Sequence, residues 1–122
     1  MGIYALDHVQ IAIPPGQEEL ARSFYIGVLG LIEQPKPAPL AGRGGLWLTG
    51  GTLKLHLGVE HDFRPAKKAH PALLVNSLEE LTARCHAAGF APVTEEPLEG
   101  NKRVYVSDPF GNRLEFLEPT TA

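Results

Sequence analysis

The sequence has a single cysteine and no long hydrophobic run. Cys85 cannot form a disulfide within the chain, and we expect it to be a small buried hydrophobic side chain. No apolar stretch approaches the roughly 20 residues that cross a bilayer, and the first residues lack the basic segment and apolar core of a secretion signal. These absences predict a cytoplasmic protein with no membrane partner.

An excess of positive charge is also missing. The 122 residues carry 11 lysines and arginines against 14 aspartates and glutamates, a formal net charge of −3, and the two signs are interspersed. Nucleic-acid-binding proteins present a basic patch or stripe, so we expect no nucleic acid partner. The 43% hydrophobic content is sufficient for a core, and the length predicts a single domain over residues 1–122.

The sequence contains the same order of strand and helix patterns twice. Each half begins with a strand pattern that carries a histidine, continues through an amphipathic helical stretch and ends in three further strand patterns. His8 lies 46 positions before Lys54, and His70 lies 45 positions before Glu115. The repeat predicts module one over about residues 1–58, a connector over 59–68 and module two over about 69–118.

Local patterns set the expected elements of each half. Residues 3–13 alternate as a strand, with Ile11 on an apolar face and His8 on the opposite face. Residues 34–45 hold three prolines and three glycines, which predicts a loop. Ser77 and Glu80 have the spacing of a capping box and predict the start of the second helix.

Strand alternation places three polar side chains on the sheet face away from the helices. His8, His70 and Glu115 are expected on this face, with Trp47 and Tyr105 as an apolar lining of the kind that binding pockets have. Taken singly, such residues are more often hydrogen-bonded or solvated side chains, but their joint placement in a repeat favours a site. Two imidazoles and a carboxylate are a ligand set for Fe, Mn, Ni or Zn ions. The predicted metal ligands are therefore His8, His70 and Glu115.

Three segments carry a resemblance to a known family. They are Leu6-Asp7-His8-Val9, Phe24-Tyr25-Ile26-Gly27-Val28-Leu29-Gly30-Leu31 and Asp108-Pro109-Phe110-Gly111-Asn112-Arg113-Leu114-Glu115-Phe116. Over about residues 4–118 the chain resembles the vicinal oxygen chelate superfamily, which contains glyoxalase I, fosfomycin resistance proteins, extradiol dioxygenases and bleomycin resistance proteins. The resemblance implies an α+β fold in which two βαβββ modules form a cupped mixed sheet with helices on its outer face. It also implies the same three metal ligands.

The chain departs from two members of that family. By spacing, Lys54 matches Glu115 at the position where glyoxalase I has a glutamate ligand, and an ammonium group is a poor metal donor. His56 lies on the same face, where a ligand, an acid-base group and a cavity-wall residue all remain open. Fosfomycin-modifying enzymes need cations in the loop of the second module, whereas here that loop carries Glu95, Glu96 and Glu99.

Two functions follow from the resemblance. The first is a divalent-metal-dependent lyase, dioxygenase or transferase whose small substrate chelates the metal through vicinal oxygens, with Tyr105 or His56 moving protons. The alternative is a metal-free binding protein of the bleomycin resistance kind, holding a small aromatic or cationic ligand against Trp47, Phe63 and Tyr105.

The resemblance also implies a homodimer. In that family a second subunit usually completes the cup, and pairing two chains covers open sheet edges. We therefore expect a self-association in which each site can draw His8 from one chain and His70 and Glu115 from the other.

Overall fold

The chain contains two compact units, Met1–Phe63 and Arg64–Ala122. A computed structural model describes residues 1–96 and 100–120, so Glu99 of the acidic loop lies outside the described residues. Each unit has a four-stranded mixed sheet and an α-helix in the order βαβββ, which confirms the predicted α+β class with two modules. In the described part of the chain, no helix is long and apolar enough to span a membrane.

Unit one is built around a sheet with one strongly apolar face. Its elements are β1 Val9–Ile13, α1 Glu18–Tyr25, β2 Ile32–Gln34, β3 Leu46–Gly50 and β4 Leu53–Val59. The strand order is β1, β4, β3, β2, with β1 parallel to β4 and the other pairs antiparallel. Alternate sheet residues and the apolar side of α1 are buried together as the core, which comprises Ile11, Ile13, Ala21, Phe24, Tyr25, Leu46, Leu48, Leu55 and Leu57.

Strand β1 begins later than the alternation predicted. Its ladder with β4 runs from Val9 opposite Leu55 to Ile13 opposite Val59, and residues 1–8 have no strand partner among the described residues. An alternating sequence does not form a strand without a neighbour to accept its backbone hydrogen bonds. The predicted loop over 34–45 also contains a short 3-10 helix, Ala38–Arg43, because Pro37 precedes it in an extended conformation and two further prolines restrict the backbone near it.

Unit two repeats the arrangement. Its elements are β5 Ala72–Leu74, α2 Leu78–Ala87, β6 Val93–Thr94, β7 Asn101–Ser107 and β8 Arg113–Pro119, and its strand order is β5, β8, β7, β6. The Ser77 side chain accepts a hydrogen bond from the Glu80 backbone N–H at 3.1 Å, which confirms the predicted start of α2. Cys85 on α2 is fully buried as expected, and burial raises the pKa of its thiol.

A buried polar turn positions β8. The Asn112 side chain donates to the Asp108 carboxylate at 3.0 Å and accepts a hydrogen bond from the Ala66 N–H at 2.9 Å. Both side chains are at least 95% buried, so these bonds hold polar groups that water does not reach. The turn therefore fixes residue 66 against the start of β8, the strand that carries Glu115.

Candidate functional site

Unit one presents a stack of three rings on the sheet face opposite its core. Gln10, His56 and Trp47 lie side by side on β1, β4 and β3. The Trp47 and His56 rings are 6° from parallel, with centroids 4.2 Å apart, and His8 also stacks on His56 with centroids 4.2 Å apart and 21° between the planes. His56 is therefore the middle ring of a face-to-face stack, with Trp47 against one of its faces and the predicted ligand His8 against the other.

Two ionisable neighbours determine the charge around His8. Its Nδ1 lies 2.9 Å from Asp7 Oδ2, and since a carboxylate can only accept, that nitrogen carries the hydrogen. Lys54 Nζ lies 3.5 Å from the other oxygen of Asp7, and together His8 and Lys54 hold the pKa of Asp7 below its usual range. Burial, followed by the proximity of His8, lowers the pKa of His56. In His8, Nε2 is therefore the ring nitrogen that could bind a metal ion.

The ring stack lines an open cavity that lies wholly in unit one. Its volume is about 670 Å³, within the range of small-molecule sites. The charged side chains of its lining are three cations and one carboxylate, namely Lys36, Arg43, Lys54 and Asp7. The local charge is positive although the whole chain carries −3, so the net charge that suggested a cationic ligand does not describe this cavity.

In unit two, the carboxylate of Glu115 is buried and contacted on both oxygens. Its Oε1 lies 2.9 Å from His70 Nε2, and its Oε2 accepts a hydrogen bond from Arg103 Nη1 at 3.2 Å. The same Arg103 nitrogen donates to the Tyr105 hydroxyl at 2.9 Å. The bond to Glu115 raises the pKa of Arg103, so the guanidinium stays charged. The sequence did not assign Arg103 to this carboxylate, although its two-residue spacing from Tyr105 places both on one face of a strand.

The backbone fixes which nitrogen of His70 faces Glu115. His70 Nδ1 lies 2.8 Å from the carbonyl oxygen of Lys68, and because a carbonyl only accepts, Nδ1 carries a hydrogen. Metal-binding histidines commonly donate their second ring N–H to a carbonyl or carboxylate in this way. Nε2 faces the Glu115 carboxylate, which also only accepts, so without a metal ion it donates a hydrogen bond to Oε1. A metal ion would replace that hydrogen, and Nε2 and Oε1 would both be its ligands. These residues fit a divalent metal ion.

The predicted site residues are divided between the units. His8 and His56 belong to unit one, whereas His70, Tyr105 and Glu115 belong to unit two, with the rings of His70 and Tyr105 5.3 Å apart. Within the described residues of each unit taken alone, no three His, Cys, Asp or Glu side chains form a group that could hold a metal. A site with all three predicted ligands therefore needs His8 from a unit one and His70 and Glu115 from a unit two.

The strand registers correct one correspondence that spacing suggested. His56 and Glu115 each lie on the last strand of their unit and pair with the residue two positions after the leading histidine. Lys54 lies two positions earlier and is not the equivalent of Glu115. Counting along the chain failed because the connections between strands differ in length in the two units, whereas the hydrogen-bonded ladders align the backbones directly. An imidazole, which is a metal donor, occupies the equivalent position.

Comparisons with known proteins agree with this architecture. Residues 5–116 match the family model described as the Glyoxalase/Bleomycin resistance protein/Dioxygenase superfamily. The crystal structure of a glyoxalase family protein from Bacillus anthracis is 44% identical, with a TM-score of 0.93 and 98% of each chain covered. No curated protein matches the chain.

Two more distant structures share the fold. TnmS3, an antibiotic binding protein from a Streptomyces species, is 21% identical with a TM-score of 0.73, covering 98% of this chain and 99% of its own. The fosfomycin resistance protein FosX from Listeria monocytogenes is 16% identical with a TM-score of 0.78, covering 98% of this chain and 94% of its own. The family model spans both units, so the chain belongs to the glyoxalase, bleomycin resistance protein and dioxygenase superfamily.

Proposed function

We propose that this protein is a divalent-metal-dependent enzyme acting on a small substrate that chelates the metal through two neighbouring oxygens. His8, His70 and Glu115 would hold the ion. The contact of His70 Nε2 with Glu115 Oε1 at 2.9 Å carries the proposal. The pair offers a ring nitrogen and a carboxylate oxygen side by side, and the Lys68 carbonyl holds the other ring nitrogen of His70 as the second partner of a metal-binding histidine does.

His8 supports the same reading from unit one. Asp7 accepts a hydrogen bond from Nδ1 of His8, as the Lys68 carbonyl does from Nδ1 of His70, so Nε2 is the nitrogen in each ring that could bind a metal ion. Two histidines at equivalent places in the repeat therefore share the second-sphere arrangement of metal ligands.

The remaining polar groups would act around the substrate. A bound divalent ion would supply Lewis acidity to the chelating oxygens. Tyr105, beside His70, and His56, stacked on His8, would move protons because each is adjacent to a proposed ligand. Arg103 would orient the Glu115 carboxylate by holding the oxygen that does not face His70.

Calorimetric titration of chelator-treated protein with Mn, Ni and Zn salts tests the ligand set. We expect near-stoichiometric binding by the wild type, weakened by at least about tenfold in His70→Ala and Glu115→Gln. His86→Ala, which removes an exposed histidine from α2, is the matched control and should bind like the wild type. Absence of binding in the wild type, or equal affinity in all four proteins, would reject the proposal.

We also propose that the protein is a homodimer in which His8 of one chain joins His70 and Glu115 of the other. The support is the segment over residues 1–8, which leads directly to His8. Its side chains Ile3, Tyr4 and Leu6 are 92%, 97% and 76% exposed, an unusual state for apolar residues next to one another in sequence. A second copy would cover them and bring His8 with them.

Subunit mixing tests the shared site. His8→Ala and Glu115→Gln should each lose metal binding, but a heterodimer of the two would contain one intact site. Equal mixing after reversible dissociation should therefore restore binding to about one quarter of all sites. No recovery would place the ligands within one chain, and a sedimentation mass near 13.2 kDa would contradict the dimer itself.

The alternative function is metal-free binding of a small molecule. Its support is the unit-one cavity, which has an aromatic surface without any residue from unit two. A protein of the same fold from a Streptomyces species is an antibiotic binding protein. Ligand binding that is identical with and without a chelator, in a protein that titrates no metal, would favour this alternative.

A further inference from the structure

The two oxygens of the Glu115 carboxylate have different partners. Oε1 lies 2.9 Å from His70 Nε2, and Oε2 accepts a hydrogen bond from Arg103 Nη1 at 3.2 Å. The Glu115 side chain is only 6% exposed, so water does not weaken its attraction to the guanidinium as it would at the surface. One oxygen therefore faces the proposed metal ligand His70, and the other is bound to a cation.

Arg103 is itself held in place by further contacts. Its Nη1 also donates to the Tyr105 hydroxyl at 2.9 Å, and its Nε donates to the carbonyl oxygen of Glu96 at 2.6 Å. A guanidinium is planar and rigid, so contacts at two of its nitrogens fix its orientation. The Arg103 side chain is 17% exposed, and turning toward solvent would break these bonds. Its bond to Glu115 is therefore a fixed part of the folded unit.

A second arginine lies beside the same residues but has a different ion pair. Tyr105 pairs with Glu115 across β7 and β8, with Arg103 two residues before Tyr105 and Arg113 two residues before Glu115 on the same face. The Arg113 guanidinium lies 3.7 Å from the centroid of the Tyr105 ring, and its Nη2 lies 3.9 Å from the Glu95 carboxylate. Arg113 is therefore a matched control for the charge of Arg103.

We propose that Arg103 makes Glu115 a metal ligand through one oxygen only and thereby leaves a coordination position for the substrate. This inference rests on the proposed function, because it needs the ion that His70 and Glu115 would hold. An ion that replaces the hydrogen on His70 Nε2 is bound by Oε1, whereas a further bond to Oε2 would bring it toward the positive charge of Arg103. A substrate that chelates through two oxygens needs positions that the protein does not fill.

Arg103 also changes the charge that the substrate meets. Histidines bind metal ions as neutral rings, so Glu115 is the one anion among the proposed ligands, and Arg103 offsets its charge. More of the charge of a divalent ion then acts on the substrate oxygens, which strengthens the ion as a Lewis acid. Arg103 is therefore a positioning residue that acts through Glu115.

Infrared difference spectra of the whole protein, recorded with and without Zn, test this proposal. A carboxylate that binds an ion through both oxygens has a narrower separation between its symmetric and antisymmetric stretching bands than the same carboxylate without metal, and a one-oxygen ligand shows no such narrowing. In the wild type, Zn should shift the Glu115 bands without narrowing their separation. Arg103→Met should show the narrowing, and Arg113→Met should behave like the wild type. Glu115→Gln identifies the bands by their loss.

Acetohydroxamate, a small chelator with two neighbouring oxygens, measures the open position. In calorimetric titrations of the Zn-loaded protein, it should bind at least about tenfold more weakly to Arg103→Met than to the wild type or Arg113→Met. The two variants lose the same charge beside the Tyr105 ring, so a difference between them comes from the contact with Glu115.

The outcomes separate this proposal from the metal site itself. Narrowed bands in the wild type, an unchanged separation in Arg103→Met, narrowing in both arginine variants, or equal acetohydroxamate affinities would overturn the role of Arg103 and leave the metal ligands in place. The wild-type bands decide the question even if Arg103→Met does not fold. No Zn-dependent change at Glu115 in the wild type would overturn both proposals.

Discussion

Replacing Gly45 by alanine should destabilise the protein more than alanine at other glycines of the same unit. Gly45 is buried directly before β3 and has a φ of +80°, the left-handed region. A Cβ there would lie 2.1 Å from the Leu57 carbonyl oxygen, a backbone atom of the central strand β4. The substitution therefore combines an unfavourable backbone conformation with an overlap that only a shift of β4 can relieve.

The magnitude follows from these two terms. A left-handed conformation costs an alanine about 1–2 kcal/mol. Displacing the backbone of a buried strand adds a further cost of the overpacking kind, about 1–3 kcal/mol. We expect Gly45→Ala to lower the free energy of unfolding by about 3 kcal/mol. With a urea dependence of about 1–3 kcal/mol per molar, the unfolding midpoint should fall by at least about 1 M.

Two control glycines separate the terms. Gly16 has a φ of +74° but no atom within 4 Å of an added Cβ, so Gly16→Ala should show only the conformational cost. Gly42 has neither a left-handed φ nor a close atom, and Gly42→Ala should stay within about 0.5 kcal/mol of the wild type. Urea unfolding monitored by circular dichroism at one protein concentration ranks the three variants. If Gly45→Ala and Gly16→Ala had the same urea midpoint, the proposed overlap of the added Cβ with β4 would be refuted.

Three further predictions concern buried or charged groups. The Gly45 N–H donates to the Glu18 carboxylate at 2.9 Å and holds its pKa below the usual range. The stability that Glu18 contributes is therefore present above the pKa of the unfolded state and is lost as the pH falls through the pKa of the folded state. In urea unfolding, Glu18→Gln should lower the free energy of unfolding by about 1 kcal/mol at neutral pH and leave it unchanged in acid. Asn112→Ala removes the buried partner of Asp108 and should cost about 2–3 kcal/mol by urea unfolding, and a cost near zero would contradict that bond network. Cys85 should react with a thiol reagent only once urea unfolds the protein, and rapid native labelling would contradict its burial.

Much of the fold was predictable because both halves of the repeat have clear hydrophobic periodicity. The sequence predicts both the apolar alternation of β1 and the capping serine of α2, and the structure has both. The start of β1 was not, because residues before Val9 alternate as well as those after it, and periodicity does not tell which of them pair with β4. The sequence of one strand does not specify which residues of the neighbouring strand it pairs with.

The candidate site was predictable in its residue types and less so in its geometry. His70 and Glu115 were expected together and lie in contact. The match of Lys54 to Glu115 was wrong, since spacing counts residues through loops of unequal length while the ladder aligns His56. The contact of Arg103 with Glu115 depends on the register of two antiparallel strands, which a single sequence does not specify.

Nitrogen NMR of the histidine side chains, recorded before and after addition of Zn, tests the central claim most directly. His70 should show a protonated Nδ1 in both states, and Zn should shift the Nε2 resonances of His70 and His8 while His86 stays unchanged. Assignments come from single substitutions at the three histidines. If Zn leaves the Nε2 resonances of His8 and His70 in place, or shifts all histidines equally, these residues do not hold a metal and the account of this protein as a metal-dependent enzyme is wrong.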